Sequence, residues 1–162
     1  MKATIKTILY ATNMGEHTRP VFRYALNIAE QHNAKVVMLH VIEPLNSGVL
    51  VAIDVYMPKV KAKDVLKDGM KKALSKMRSR LDKFYTDEKI EAESERKLIS
   101  KVKVVSGKAA ESIVKQAEKV GADLIVIGSH TSPAISTALI GSTANKVTQL
   151  SSVPVLVVPV RE

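Results

Sequence analysis

The sequence predicts an α/β fold: an open five-stranded parallel sheet with helices on both faces. Three observations carry this. Strand-like apolar runs alternate with segments of helical period from one end of the chain to the other. The run at 34–43 is almost continuously apolar, as strands covered on both faces are. The length of 162 residues, with 46% hydrophobic and 25% charged residues, suits one ordinary globular domain, taken here as 1–162, with an extended loop and charged helix at about 44–100.

The first strand lies in TIKTILYATN (4–13), a short β-branched run closed by polar turn residues. In HTRPVFRYALNIAEQHN, residues Val21, Phe22, Ala25, Leu26 and Ala29 recur at helical steps. Thr18 is placed to cap this helix, and Pro20 is tolerated in its first turn. AKVVMLHVIE (34–43) is the second strand. LNSGVLVAIDVYMPKV, after Pro44, has no clean period and reads as an irregular loop.

From Asp64 a helix of about six turns follows, spanning about 62–85. Leu66, Met70, Ala73, Leu74, Met77, Leu81 and Phe84 form one stripe, with Lys71, Lys72, Lys76 and Arg80 outside it. Residues 86–99 are charged and fit either a continuation of that helix or an exposed excursion. SKVKVVSG gives the third strand. KAAESIVKQAEKVGA is a helix whose end falls at Gly121, where a positive φ is wanted. DLIVIG is the fourth strand, STANKVTQLSS a short fourth helix, and VPVLVVPV (153–160) the last strand. Pro154 and Pro159 bracket that strand and place it at a sheet edge, because proline lacks the donor that a central ladder needs. A bare apolar edge invites pairing, so a homodimer through 153–160 is expected to cover it.

The formal net charge of +9 is local: residues 59–103 hold 15 of the 25 Lys and Arg and 8 of the 16 Asp and Glu. Acids are interleaved with the bases and aromatics make up 4% of the chain, so a solvated helix face or a protein-partner surface accounts for this segment better than a nucleic-acid site. No cysteine is present, which removes disulfides, thiolate metal sites and a cysteine nucleophile. With no signal-peptide pattern at MKATIKTILYATN and no run near the ~20 apolar residues of a membrane span, a cytoplasmic protein without a membrane segment is expected.

IGSHTSPAISTALIGSTANKV (127–147) is the candidate ligand loop. In open α/β sheets, ligands gather beyond the carboxyl ends of the strands. Gly128 and Gly141 let backbone amides approach a ligand, Ser129, Thr131, Ser142 and Thr143 carry hydroxyls, and the next helix aims its positive end at the same point. The same residues also suit a plain strand-to-helix turn, with Gly128 relieving the strand exit and Ser142 or Thr143 as N-cap. His130 fits either a contact to a bound phosphate or a solvent-facing position. There is no Walker loop, since Val102 stands where its first glycine belongs, and no G-x-G-x-x-G or G-x-S-x-G. His17, His32, His40 and His130 fall one per segment, without metal-site spacing, and no catalytic constellation is evident.

Across nearly its whole length the chain resembles the universal stress protein family. ILYATN is similar to that family's first strand and ligand loop, VVMLHVIEP to its second strand, SGKAAESIVKQAEKVGADLIVIGS to its third crossover and fourth strand, and VPVLVVPV to its closing strand. The nucleotide-binding branch has Gly, two residues, Gly, nine residues, Gly and then Ser or Thr, which falls here on Gly128, Thr131, Gly141 and Ser142. The resemblance implies a Rossmann-like fold of the adenine nucleotide alpha hydrolase type and a regulatory ATP or AMP ligand, with Mg as a companion ion. It implies that Gly128, Thr131, Gly141, Ser142 and Thr143 hold phosphates and ribose, that Val41 meets adenine through its backbone, and that Ala11, Thr12 and Asn13, with Ser129 and His130, complete the site. Two positions depart from the pattern: Thr131 replaces a glycine and Asn13 an aspartate. A sister branch lacks the glycine motif and binds no ATP, so the alternative is an interaction protein acting through its dimer and basic helix. With no general base or metal carboxylate evident in the sequence, any ATP hydrolysis is expected to be slow and incidental.

Overall fold

A computed structural model describes residues 4–129 and 140–160. Five parallel strands form one sheet in the order β3-β2-β1-β4-β5: β1 (Thr7–Ala11), β2 (Lys35–Ile42), β3 (Ile99–Ser106), β4 (Leu124–Gly128) and β5 (Val155–Val158). The chain steps outward from β1 through β2 to β3, then returns to place β4 against the other side of β1. The sheet order therefore reverses between β1 and β4, and the crossovers leaving their carboxyl ends diverge there. As the flanking prolines require, β5 is an edge strand and pairs only with β4.

Because successive strand side chains point to opposite faces, each central strand feeds two cores. On one face, Ile8, Tyr10, Val36, Met38 and Val126 pack beneath α1 (Arg19–His32) and α3 (Ala62–Asp87). On the other, Leu9, Val37, Leu39, Ile125 and Ile127 pack beneath α5 (Ala109–Val120) and α6 (Ser142–Leu150). α1 and α3 are locked by an aromatic row: Tyr10 stacks on Phe22 at 5.2 Å, and Phe22 meets Phe84 edge-on at 4.7 Å. Of the stripe expected on α3, Ala73, Met77 and Phe84 are buried.

Two expectations, the loop at 45–60 and the Thr18 cap, need correction, and the open choice at 86–99 is decided. The segment at 45–60 is not an irregular loop: it contains α2 (Ser47–Tyr56), begun by Asn46, whose side chain accepts from the Val49 amide at 2.9 Å. A periodicity test misses this helix because its apolar residues are not confined to one face. Between 86 and 99 the long helix stops, with Lys89 in the left-handed region at φ 53°, and a single turn, α4 (Glu93–Arg96), precedes β3. The four helices expected are thus joined by α2 and α4, and a 3-10 turn, Glu16–Thr18, precedes α1. Thr18 does not cap α1 through its side chain; its hydroxyl donates back to the Gly15 carbonyl at 2.9 Å. Gly121 does end α5 in the left-handed conformation, at φ 63°.

Candidate functional site

At the carboxyl end of β1 the chain turns on its own side chains. Thr12 donates its amide to the Leu39 carbonyl at 2.9 Å, which continues the ladder one residue past the strand. The Thr12 hydroxyl then accepts from the Met14 amide at 3.0 Å, and Asn13 Oδ1 accepts from the Gly15 amide at 3.0 Å. Such two-residue side-chain turns stabilise a tight loop without secondary structure. They hold Met14 in the left-handed region at φ 60°. From the opposite face of the sheet, Arg80 of α3 donates to the carbonyls of both Met14 and Gly15, while His40 Nδ1 lies 2.8 Å from the Thr12 carbonyl. The loop is therefore braced from below and is not free to collapse into the crevice.

The second wall is the exit from β4 and the entry to α6. The Ser129 amide donates to the Val158 carbonyl at 2.8 Å, and its side-chain oxygen accepts from the Val160 amide at 3.1 Å, so Ser129 is bound to the end of β5. Its carbonyl accepts from the Gly141 amide at 2.6 Å. Gly141 is the N-cap of α6, in an extended conformation with φ −56° and ψ 152°, and no side chain caps the helix. The expectation that Ser142 or Thr143 would be the N-cap is corrected: both lie inside the first turn. Gly141 itself contributes no amide to the crevice, because its N–H is spent on Ser129. The helix start offers instead the amides of Ser142, Thr143 and Ala144, which precede the first intrahelical acceptor bond, from Asn145 to the Gly141 carbonyl at 2.9 Å.

Between the two walls lies a cavity of about 180 Å³. Ala11, Thr12 and Asn13 line it at the end of β1, Val41 in β2, Gly128 and Ser129 at the end of β4, and Gly141, Ser142 and Thr143 at the start of α6. Nine of the eleven residues expected in the site thus surround one space. His130 and Thr131 lie outside the described residues. Leu39, Ile113 and Ile127, which form its apolar floor, were not among the expected residues. Ile113 is a buried residue of α5, and only the fold reveals that it also borders the crevice.

No Asp, Glu, His, Lys or Arg is among the described lining residues. An anion bound here would be held by backbone amides, hydroxyls and the positive end of α6. Burial pushes the Tyr10 phenol above its ordinary value, and its hydroxyl donates to the Thr18 carbonyl at 3.3 Å, so Tyr10 serves as a neutral wall and not as a base. Among the described residues, no group of three or more His, Cys, Asp or Glu is placed to hold a metal ion. A larger cavity, about 270 Å³, lies on the other face of the sheet between α1 and α3, bordered by Phe22, Met77, Arg80 and Phe84. It shares Tyr10, Thr12 and Thr18 with the first cavity and reaches the start of α1 at Thr18 and Arg19, but it touches neither α6 nor the carboxyl end of β4.

The model of the universal stress protein family matches residues 4–159. The chain belongs to the universal stress protein family. It is 29% identical to universal stress protein MJ0577 of Methanocaldococcus jannaschii, over 98% of this chain and 97% of that one. It is 30% identical to universal stress protein A homolog 2 of Coxiella burnetii, over 96% of each. Among solved structures, that of MJ0577 superposes with a TM-score of 0.69 at 27% identity, covering 98% of this chain and 99% of that one. A universal stress protein in complex with cAMP shares the fold, with a TM-score of 0.64 at 23% identity, covering 97% and 99%. The five-stranded Rossmann-like sheet described above is thus the universal stress protein fold.

Proposed function

We propose that this universal stress protein binds an adenine nucleotide, ATP or AMP, in the crevice between β1 and β4, and that occupancy serves as a regulatory signal. The observation that carries the reading is the uncapped start of α6, positioned by the Gly141–Ser129 hydrogen bond at the mouth of a largely apolar slot. The slot suits a nucleobase and the helix start suits a phosphate. At about 180 Å³ the slot is smaller than the ~300 Å³ at which ligand pockets begin, so the phosphates would project outward to α6. That one family structure holds cAMP and another, from Archaeoglobus fulgidus, holds dAMP supports the choice of an adenine ligand.

In this reading Val41 offers its backbone to the base, while Thr12 and Asn13 face the ribose. Asn13 brings no negative charge, and its Oδ1 already accepts from Gly15, so its contact runs through the side-chain amide group. Mg, where present, is carried by the phosphates, since no carboxylate is among the described lining residues. For the same reason no side chain there can act as general base, and hydrolysis is at most slow and incidental. The edge strand β5 pairs with the same strand of a second copy, giving a homodimer through 153–160.

Calorimetric titration of nucleotide-free protein with ATP, ADP and AMP tests the reading. Heat of binding and thermal stabilisation by at least one of them are expected. Neither effect at millimolar ligand would favour the non-nucleotide branch, in which a dimer and the basic helix carry the function.

A further inference from the structure

α2 is apolar over most of its circumference, interrupted by the exposed Asp54 between Leu50 and Val51, and almost nothing covers it. Ile53 is its one buried residue. Val51, Val55 and Tyr56 are 61%, 64% and 82% exposed, and Val49, Leu50 and Met57 are exposed with them. At 100° per residue, Val49, Leu50 and Val51 alone sweep about 200° of the circumference, and Val55 and Tyr56 fill much of the remainder. Isolated helices shorter than about 12 residues are marginal in water, and this one has 10, four of them β-branched. Burial of a single residue does not explain its persistence.

The chain that follows supplies the second observation. Lys59, Lys61, Lys63 and Lys67 are all exposed, and between 47 and 76 there are seven lysines against three aspartates. A second copy of the chain would bring this positive surface against itself, which opposes a homotypic contact. A protein groove accommodates one stripe of a helix at i, i+3, i+4 and i+7, and would leave the rest of α2 wet. A bilayer interface receives a broad apolar face, not a single stripe, and anionic headgroups match the lysines.

We infer that α2 and the lysines after it form a docking surface for an anionic membrane. At 1.5 Å per residue α2 is about 15 Å long, half of a ~30 Å hydrocarbon core, so it lies in the interface and does not span. Tyr56 stands at its end, where an amphipathic ring suits the headgroup level. The docking does not depend on nucleotide binding and can fail or hold independently of it.

Flotation of the full chain with vesicles tests the inference. Binding is expected to phosphatidylcholine vesicles with about 30 mol% phosphatidylserine at low salt, but not to phosphatidylcholine alone. Changing Lys59, Lys61 and Lys63 together to Gln is expected to weaken it on the order of a hundredfold, at about 1 kcal/mol for each lysine. Val51→Asp with Val55→Asp should abolish it, whereas Val51→Leu with Val55→Leu should retain it. Both valines are exposed, so folding is not at stake, and unchanged thermal denaturation checks this. The chain has no Trp, so Tyr56→Trp reports insertion by a blue shift of its emission on adding anionic vesicles. Absence of binding at low salt, binding indifferent to the two Asp substitutions, or self-association lost in the Val51→Asp, Val55→Asp variant without any vesicle binding would each overturn the inference.

Discussion

The Gly141 amide and the Ser129 carbonyl are joined by a 2.6 Å hydrogen bond, so the residue that leaves β4 and the residue that opens α6 are fixed to each other directly. Whatever the course of the chain between them, the crossover returns to within one hydrogen bond of its point of departure. This places the first turn of α6 at the carboxyl edge of β4. The glycine is not required there for backbone freedom, since φ −56° is open to any residue. With no side chain at this N-cap, the first-turn amides are left uncapped, as the proposed phosphate site requires.

Gly141→Asp therefore separates stability from binding. A carboxylate at the N-cap accepts from a first-turn amide and complements the helix dipole, so thermal stability should hold or rise by a few tenths of a kcal/mol. The same carboxylate occupies the amides and repels a phosphate, so affinity for AMP and ATP should fall at least tenfold, about 1.4 kcal/mol. Parallel calorimetry and thermal melts read both quantities.

Arg80→Ala should act at a distance. The side chain holds the carbonyls of Met14 and Gly15 from the far side of the sheet, and Met14 sits at positive φ only because the loop around it is over-determined. Its removal should cost about 1–2 kcal/mol of stability and weaken nucleotide binding several-fold through the Thr12–Asn13 wall. Urea denaturation and titration of the variant check this.

The Asp123 carboxylate accepts from the amides of Lys6 and Thr7 at 2.8 and 2.9 Å, and these two bonds hold its carboxyl below the ordinary range. A folded-state pKa lowered in this way adds stability that is complete above the unfolded value near 4 and is lost as the pH falls through the folded value. Asp123→Asn should lose about 1 kcal/mol at pH 7, allowing for the solvent around the group. The gap between wild type and variant should close on acidification, as urea midpoints measured from pH 7 downward would report.

Gly121→Ala should destabilise the protein by about 1 kcal/mol. The glycine ends α5 at φ 63°, and its amide bonds the Ala117 and Glu118 carbonyls. No atom lies within 4 Å of the Cβ position, so the whole effect is backbone strain. Thermal denaturation checks it, and nucleotide affinity should not change.

The sheet and most helices were legible because burial on both faces writes itself into the sequence as apolar runs and helical stripes. β5 could be assigned to an edge from Pro154 and Pro159 alone, since a missing donor is a local fact. The crevice was legible as far as Gly128, Gly141 and the ends of β1 and β2. Three features were not. α2 lacks a stripe, because no single face of it is the buried one. The floor residues Leu39, Ile113 and Ile127 look like any core position until the crossovers are in place. The partner of the Gly141 amide, Ser129, is set by where the crossover closes, which no residue spacing specifies.

The central claim, that the first turn of α6 holds the phosphate of a nucleotide whose base enters the slot beneath it, is tested most directly by backbone amide shifts on titrating labelled, nucleotide-free protein with AMP. The account predicts that the largest saturable shifts fall on Ser142, Thr143 and Ala144, accompanied by Thr12, Asn13 and Val41. Saturable shifts that spare α6 and centre instead on Arg80 and Phe84 at the opposite cavity, or no shifts at all, would contradict it.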